Sequence, residues 1–191
     1  MRIIHKMQDW DETGSVVALG TFDGVHIGHA QLIQEAVRLA EEFSVPSAAL
    51  TFDRHPLSLI RPEAVPKALT TPEEKRERLA ALGLDALIEQ PFTPEFAALS
   101  PDEFFHQLYA SLHPRALVVG FNYTFGRKGA GDAGLLSYLC KEKGVLCRVM
   151  EPVCLNGRPV SSSRIRALIR EGNEREAEAL LGRAENSRNL K

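Results

Sequence analysis

Gly20-Thr21-Phe22-Asp23-Gly24-Val25-His26-Ile27-Gly28-His29 closes the apolar run Val16–Gly20 and leads into a segment in which Leu32, Ile33, Ala36, Val37, Leu39, Ala40 and Phe43 share one helical stripe. Gln34, Glu35, Arg38, Glu41 and Glu42 lie opposite that stripe, so the segment reads as an amphipathic helix covering a sheet. The quoted stretch is therefore a turn from a buried strand into a helix. Four further apolar runs, Ala48–Phe52, Ala86–Ile88, Ala116–Gly120 and Val145–Met150, are short enough for buried strands, and amphipathic segments separate them. This alternation predicts an α/β fold, a Rossmann-like doubly wound parallel sheet with flanking helices, whose ligands bind outside the carboxyl ends of the strands.

Helix starts are marked independently. Thr71-Pro72-Glu73-Glu74 and Ser100-Pro101-Asp102-Glu103 are capping boxes with proline at the first helical position. Two more helices are expected at Arg164–Glu171 and Glu174–Leu181, with Gly172 as a left-handed stop and Asn173 as the next cap. After Leu181 the chain turns polar. The expected organisation is one domain over residues 1–183 and a polar tail over 184–191.

The 191 residues are 44% hydrophobic with a formal charge of −2, enough for one sizeable core and no general reason to bind nucleic acid or a membrane surface. Met1-Arg2-Ile3-Ile4-His5-Lys6 is not followed by a leader-like apolar run, and no stretch is long enough to span a bilayer, so a cytoplasmic protein is expected. Cys140, Cys147 and Cys154 match neither a disulfide framework nor a zinc site and read as buried thiols.

The strand-to-helix turn is the default phosphate position of such a fold, because amide donors and the helix dipole there favour an anion. Gly24 and Gly28 permit close backbone approach, and His26 and His29 bracket the helix start, where two imidazoles can bridge phosphate oxygens. One of the rings could instead cap the helix. Zinc would find only two ligands in His26-Ile27-Gly28-His29, with no third at a natural spacing, so no metal site is expected. Gly129-Ala130-Gly131-Asp132-Ala133-Gly134 is a literal GxGxxG, but it begins roughly ten residues after its strand, too far for the tight turn of a dinucleotide fingerprint. No GK[ST] accompanies it, which excludes a P-loop.

Three later segments offer polar or aromatic groups beside strand ends or helix starts. His55, fixed before Pro56, follows the second apolar run. In Val119-Gly120-Phe121-Asn122-Tyr123-Thr124-Phe125-Gly126, the Asn122 amide can both donate and accept hydrogen bonds. Tyr123 and Phe125 offer stacking surface, or are core residues at alternating positions. In Val160-Ser161-Ser162-Ser163-Arg164-Ile165-Arg166, hydroxyls, helix-start amides and guanidinium forks suit a polyphosphate.

His26-Ile27-Gly28-His29 is similar to the HxGH signature of nucleotidyltransferases that transfer a nucleoside monophosphate. The full Gly20–His29 stretch more closely resembles the adenylyltransferase (FAD synthetase) module of bacterial bifunctional riboflavin kinase/FMN adenylyltransferases. Thr51-Phe52-Asp53-Arg54-His55-Pro56 resembles that family's TF-acidic-PHP motif, with Arg54 where proline is usual. Val119–Gly126 resembles its VGxNFTFG loop, and Ser161–Arg166 its SSTxIR motif with Ser163 for threonine. The motifs stand in family order over nearly the whole chain.

The resemblance implies transfer of AMP from ATP to FMN, giving FAD and pyrophosphate, with Mg²⁺ accompanying ATP. It implies ATP contacts from Gly20, Thr21, Phe22, Asp23, Gly24, His26, His29, Ser161, Ser162, Ser163, Arg164 and Arg166. His26, His29, Arg164 and Arg166 would be catalytic. Flavin contacts would come from Phe52, His55, Pro56, Asn122, Tyr123 and Phe125. Family members continue after a segment like Ala179–Arg183 into a riboflavin kinase module with a proline-threonine-alanine-asparagine signature; this sequence lacks that signature, so no kinase domain is expected in it. The rival readings are a catalytically silent flavin or nucleotide sensor and an HxGH transferase with a different acceptor.

Overall fold

The computed structural model describes residues 1–183; the expected tail at 184–191 lies outside the described residues. The elements run β1 Arg2–Ile4, β2 Ser15–Leu19, α1 Ile27–Phe43, β3 Ser47–Phe52, α2 Leu57–Ile60, α3 Pro72–Ala81, β4 Ala86–Gln90, α4 Pro94–Ala97, α5 Pro101–Leu112, β5 Pro114–Gly120, β6 Thr124–Phe125, β7 Gly131–Asp132, α6 Ala133–Glu142, β8 Leu146–Met150, β9 Cys154–Leu155, β10 Arg158–Pro159, α7 Ser162–Arg170 and α8 Glu174–Leu180. The main sheet has the order β1-β4-β3-β2-β5-β8, and every pairing in it is parallel. β2 lies between β3 and β5, so the direction of winding reverses there. The crevice outside the carboxyl ends of β2 and β5 is the ligand position that this topology creates.

Alternate residues of each strand feed two cores. Val17, Leu19, Leu50, Ile88, Leu117 and Val119 face Phe105, Leu108 and Leu112 of α5 and Leu136 of α6. Val16, Ala18, Ala49, Leu87, Ala116 and Val118 face Ile33, Ala36, Leu39 and Ala40 of α1 and Leu79 of α3. The sheet is thus buried on both faces, which is why its strands read as apolar runs rather than alternating ones. Ile165 and Leu168 of α7 and Ala177 and Leu180 of α8 form a third, smaller cluster with Leu181.

The sequence-based helix signals hold. Both capping boxes form, and Gly172 adopts φ +75 with Asn173 accepting the Glu176 N–H. α7 starts two residues before the expected Arg164, because Ser161 is its cap.

Two expectations, those for Phe43 and for the cysteines, need correction. The strand β1 leaves no readable mark in the sequence, because three residues at a sheet edge carry too little pattern. Phe43 falls off the buried stripe and is 39% exposed at the end of α1. Only Cys140 is buried: Cys147 lies half-covered on the edge strand β8 and Cys154 is exposed in the β9–β10 hairpin, both outside the two-sided part of the sheet. The GxGxxG segment is a structural hairpin. Gly131 pairs with Phe125, where a Cβ would come within 2.7 Å of the Phe125 ring, and Asp132 caps α6.

Candidate active site

The turn after β2 is held in an uncommon backbone path. Phe22, Gly24 and Val25 have φ of 50, 84 and 41, all in the left-handed region. For a β-branched residue such as Val25 this costs on the order of 1–2 kcal/mol, and it persists because the neighbourhood over-determines it. Val25 is buried, the Gly24 N–H donates to Thr70 Oγ1 at 3.2 Å, and the Val25 N–H donates to the Phe22 carbonyl at 3.2 Å. The path turns Phe22 fully inward, so its side chain supports the site from beneath. Its ring meets His29 edge-on at 5.3 Å.

Above Phe22 the rings of His26 and His29 stack with centroids 3.6 Å apart and an interplanar angle of 11°. His26 is also the cap of α1, its Nδ1 accepting the His29 N–H at 3.2 Å. A Cβ on Gly28 would sit 3.3 Å from both Cε1 and Nδ1 of His26, so a side chain there would crowd the ring by a few tenths of an ångström. Capping and phosphate binding, alternatives at the sequence level, are compatible in one residue: Nδ1 is occupied as an acceptor, which places the neutral ring's proton on Nε2 as a donor. Burial lowers the His26 pKa to about 4. Burial, then the His26 ring, then the Lys75 ammonium hold His29 well below its usual value. The pair is neutral at pH 7. His29 Nδ1 is buried with no hydrogen-bond partner among the described residues.

Asp23 ties this turn to α7. Its Oδ1 accepts the Leu69 N–H at 2.9 Å, its Oδ2 pairs with Arg166 Nη2, and its carbonyl accepts Ser162 Oγ–H at 2.9 Å. Arg166 also donates through Nε to the Lys67 carbonyl at 2.8 Å. Ser162 and Arg166 are thereby brought to the histidine turn from 139 and 143 residues away. Arg164 is not. Its Nη1 donates to the carbonyls of Leu155, Arg158 and Pro159, and its Nη2 to Glu176 Oε1 at 2.6 Å, so it joins α7 to α8 and to the β9–β10 hairpin. Ser161 is likewise engaged as the cap of α7, accepting the Arg164 N–H, and Ser163 is exposed.

At the carboxyl end of β3, Thr51 Oγ–H donates to the Thr21 carbonyl at 3.1 Å and joins the two strand-end motifs. His55 Nδ1 accepts the Leu57 N–H at 3.1 Å, and Pro56 flanks the start of α2. Burial lowers the His55 pKa; Arg166 and Lys75 reinforce that, while Asp23 opposes it. His55 therefore shares the electrostatic neighbourhood of the nucleotide-side motifs.

The expected flavin residues Phe52, Tyr123 and Phe125 are connected by rings that the motifs do not include. Phe52 meets Phe92 at 4.9 Å and Phe96 at 5.8 Å; Phe96 meets Phe104 at 5.9 Å, Phe104 meets Phe125 at 5.6 Å, and Tyr123 stacks on Phe125 at 5.9 Å. Phe104 and Phe125 are core, whereas Phe52, Phe92, Phe96 and Tyr123 keep partly open surface. Burial raises the Tyr123 hydroxyl pKa. Asn122 is exposed in the turn after β5, which the Tyr123 N–H closes by donating to the Gly120 carbonyl at 3.0 Å.

Lys75 of α3 is a further group that the motifs did not signal. Its Nζ reaches the Thr21 carbonyl only at 3.5 Å. Among the described residues no cluster of three or more His, Cys, Asp or Glu side chains could hold a metal ion, and the Asp23 carboxylate is engaged by Arg166 and the Leu69 amide. Among the same residues no helix is long and apolar enough to cross a membrane.

The FAD synthetase family model matches residues 8–164. The chain is 38% identical over 177 residues to a bifunctional riboflavin kinase/FMN adenylyltransferase of Listeria monocytogenes, covering 91% of this chain and 55% of that protein. It is 37% identical over 183 residues to a putative bifunctional riboflavin kinase/FMN adenylyltransferase of Geobacillus thermodenitrificans, covering 95% of this chain and 97% of that one. Among solved structures, a protein from Streptococcus pneumoniae named as a macrolide-efflux protein superposes with a TM-score of 0.81 at 30% identity, over 94% of this chain and 59% of that one.

Proposed function

The chain belongs to the FAD synthetase family, and from that premise we propose that these 191 residues act as an FMN adenylyltransferase. AMP passes from ATP to FMN, yielding FAD and pyrophosphate, and the chain does not phosphorylate riboflavin. The observation that carries this reading is the neutral, stacked His26–His29 pair at the start of α1, set at the point where the sheet reverses its winding.

A phosphate oxygen of FMN attacks the α-phosphorus of ATP in line, and pyrophosphate leaves. Such a transfer asks the protein for position and charge stabilisation rather than for a covalent intermediate. His26 offers an Nε2–H donor whose orientation is fixed by its Nδ1 cap. His29, beside it, adds a second donor that costs no deprotonation at neutral pH. Donors held this way need no reorganisation as negative charge builds on the transferred phosphorus, which is where they contribute most. Arg166, anchored to Asp23, supplies a guanidinium for the polyphosphate, and Ser162 steadies the turn by donating its hydroxyl proton to the Asp23 carbonyl. Mg²⁺ enters with ATP as part of the substrate, where it polarises phosphoryl oxygens.

The aromatic surface from Phe52 through Phe96 to Tyr123 is suited to the isoalloxazine, with Asn122 at its rim for ring or ribityl polar groups. A cytoplasmic setting and purely small-molecule substrates accompany this reading. The test is incubation with Mg²⁺-ATP and either FMN or riboflavin, followed by chromatography. FAD from FMN, and neither FMN nor FAD from riboflavin, supports it. Flavin binding without FAD would favour a silent sensor, and absence of flavin binding a different acceptor.

A further inference from the structure

Lys75 is the fourth residue of α3. A cation in the first turn of a helix opposes the helix dipole, so the position is unfavourable for local structure. The carboxylate that would be expected to balance it is already engaged: Glu89, buried on β4, accepts Arg76 Nε at 2.9 Å and Arg76 Nη2 at 2.7 Å. Among the described residues Lys75 forms no ion pair, and its one hydrogen bond is the 3.5 Å contact to the Thr21 carbonyl. The side chain is half-buried, and that burial lowers its pKa. An ammonium desolvated this far, with donors unmatched, is stabilised when an anion arrives.

Its surroundings specify which anion. Thr21 belongs to the histidine turn, and the Lys75 charge acts on both His29 and His55. Lys75 therefore stands against the nucleotide-side turn at the end of β2, and its charge reaches the His55 loop at the end of β3. β3 and β4 run out into Phe52 and Phe92, the rings at the open end of the aromatic surface. Resting on the adenylyltransferase reading, we propose that Lys75 binds the phosphate of FMN and holds its attacking oxygen beside His29.

The test compares FMN with riboflavin, which lacks the phosphate. By flavin fluorescence, Lys75→Gln loses about tenfold or more in FMN affinity, the scale of one hydrogen bond to a charged group, while riboflavin affinity stays within about twofold. Lys75→Arg retains most of the preference for FMN. In the unmodified protein, FMN but not riboflavin slows acetylation of Lys75 by acetic anhydride, read by mass spectrometry, so the proposal is decided even if a variant does not fold. An unchanged preference for FMN in Lys75→Gln overturns it. So does protection by ATP and not by FMN. If the wild type makes no FAD yet FMN protects Lys75, the phosphate contact stands and the transfer reading fails. If it makes FAD but FMN gives no protection, the transfer reading stands and the phosphate contact fails.

Discussion

His26 holds His29 in two ways at once: Nδ1 accepts the His29 backbone N–H at 3.2 Å, and the two rings stack at 3.6 Å. The first contact fixes the tautomer of His26 and the second makes simultaneous protonation of both rings unfavourable. One turn of helix thereby presents neutral donors where an anion is expected.

Replacing His29 with alanine should lower kcat for FAD formation by about 10²–10³, the scale of one preorganised donor, with a smaller change in KM for FMN. Steady-state kinetics with FMN varied at saturating Mg²⁺-ATP measures both. A loss confined to KM would place His29 in ground-state binding only.

Stability should depend on these rings as well. Their folded-state pKa values lie below the unfolded value of roughly 6.5. The unfolded chain therefore binds more protons in acid. The contribution is fully present above the unfolded pKa and is lost as pH falls from roughly 6.5 toward the folded value of about 4 for His26. Thermal melts from about pH 7.5 to about pH 4.5 should show Tm falling through that window, and His26→Gln should flatten the slope. An unchanged slope would count against burial of the neutral pair.

Arg164 and Arg166, two residues apart, should behave differently. Arg166→Met should raise KM for ATP, because its guanidinium faces the histidine turn. Arg164→Met should lower Tm while leaving KM for ATP within about twofold, because its guanidinium is taken up by Glu176 and three backbone carbonyls. Kinetics and melts on both variants test the division; a matching rise in KM for Arg164→Met would contradict it.

Asp23→Asn should cost about 1–3 kcal/mol of stability, since it weakens the pairing with Arg166 while leaving an acceptor for the Leu69 amide. It should also raise KM for ATP by loosening Arg166. Denaturant unfolding alongside kinetics would detect both; stability unchanged together with KM unchanged would remove Asp23 from its tethering role.

Much of this architecture is legible in the chain. The strands β2 to β5 announce themselves as apolar runs because both sheet faces are covered, and Thr71 and Ser100 mark α3 and α5 through complete capping boxes. The histidine turn is legible as well, since a strand end, two glycines and two histidines coincide there. What is hidden depends on contacts across the fold. Arg164 and Arg166 lie on one short motif, and only the packing of α7 on α8 shows that the first is bound by Glu176. Phe92, Phe96 and Phe104 read as isolated apolar residues until the strand ends bring them to Phe52 and Phe125. Lys75 becomes conspicuous only once Glu89 is seen to be occupied by Arg76.

The most direct measurement follows the two labels of ATP in the presence of FMN and Mg²⁺. With α-³²P ATP the account predicts label in FAD, and with γ-³²P ATP label in pyrophosphate and none in flavin. Label from the γ-phosphate in a flavin, or no label in FAD from the α-phosphate, would contradict it.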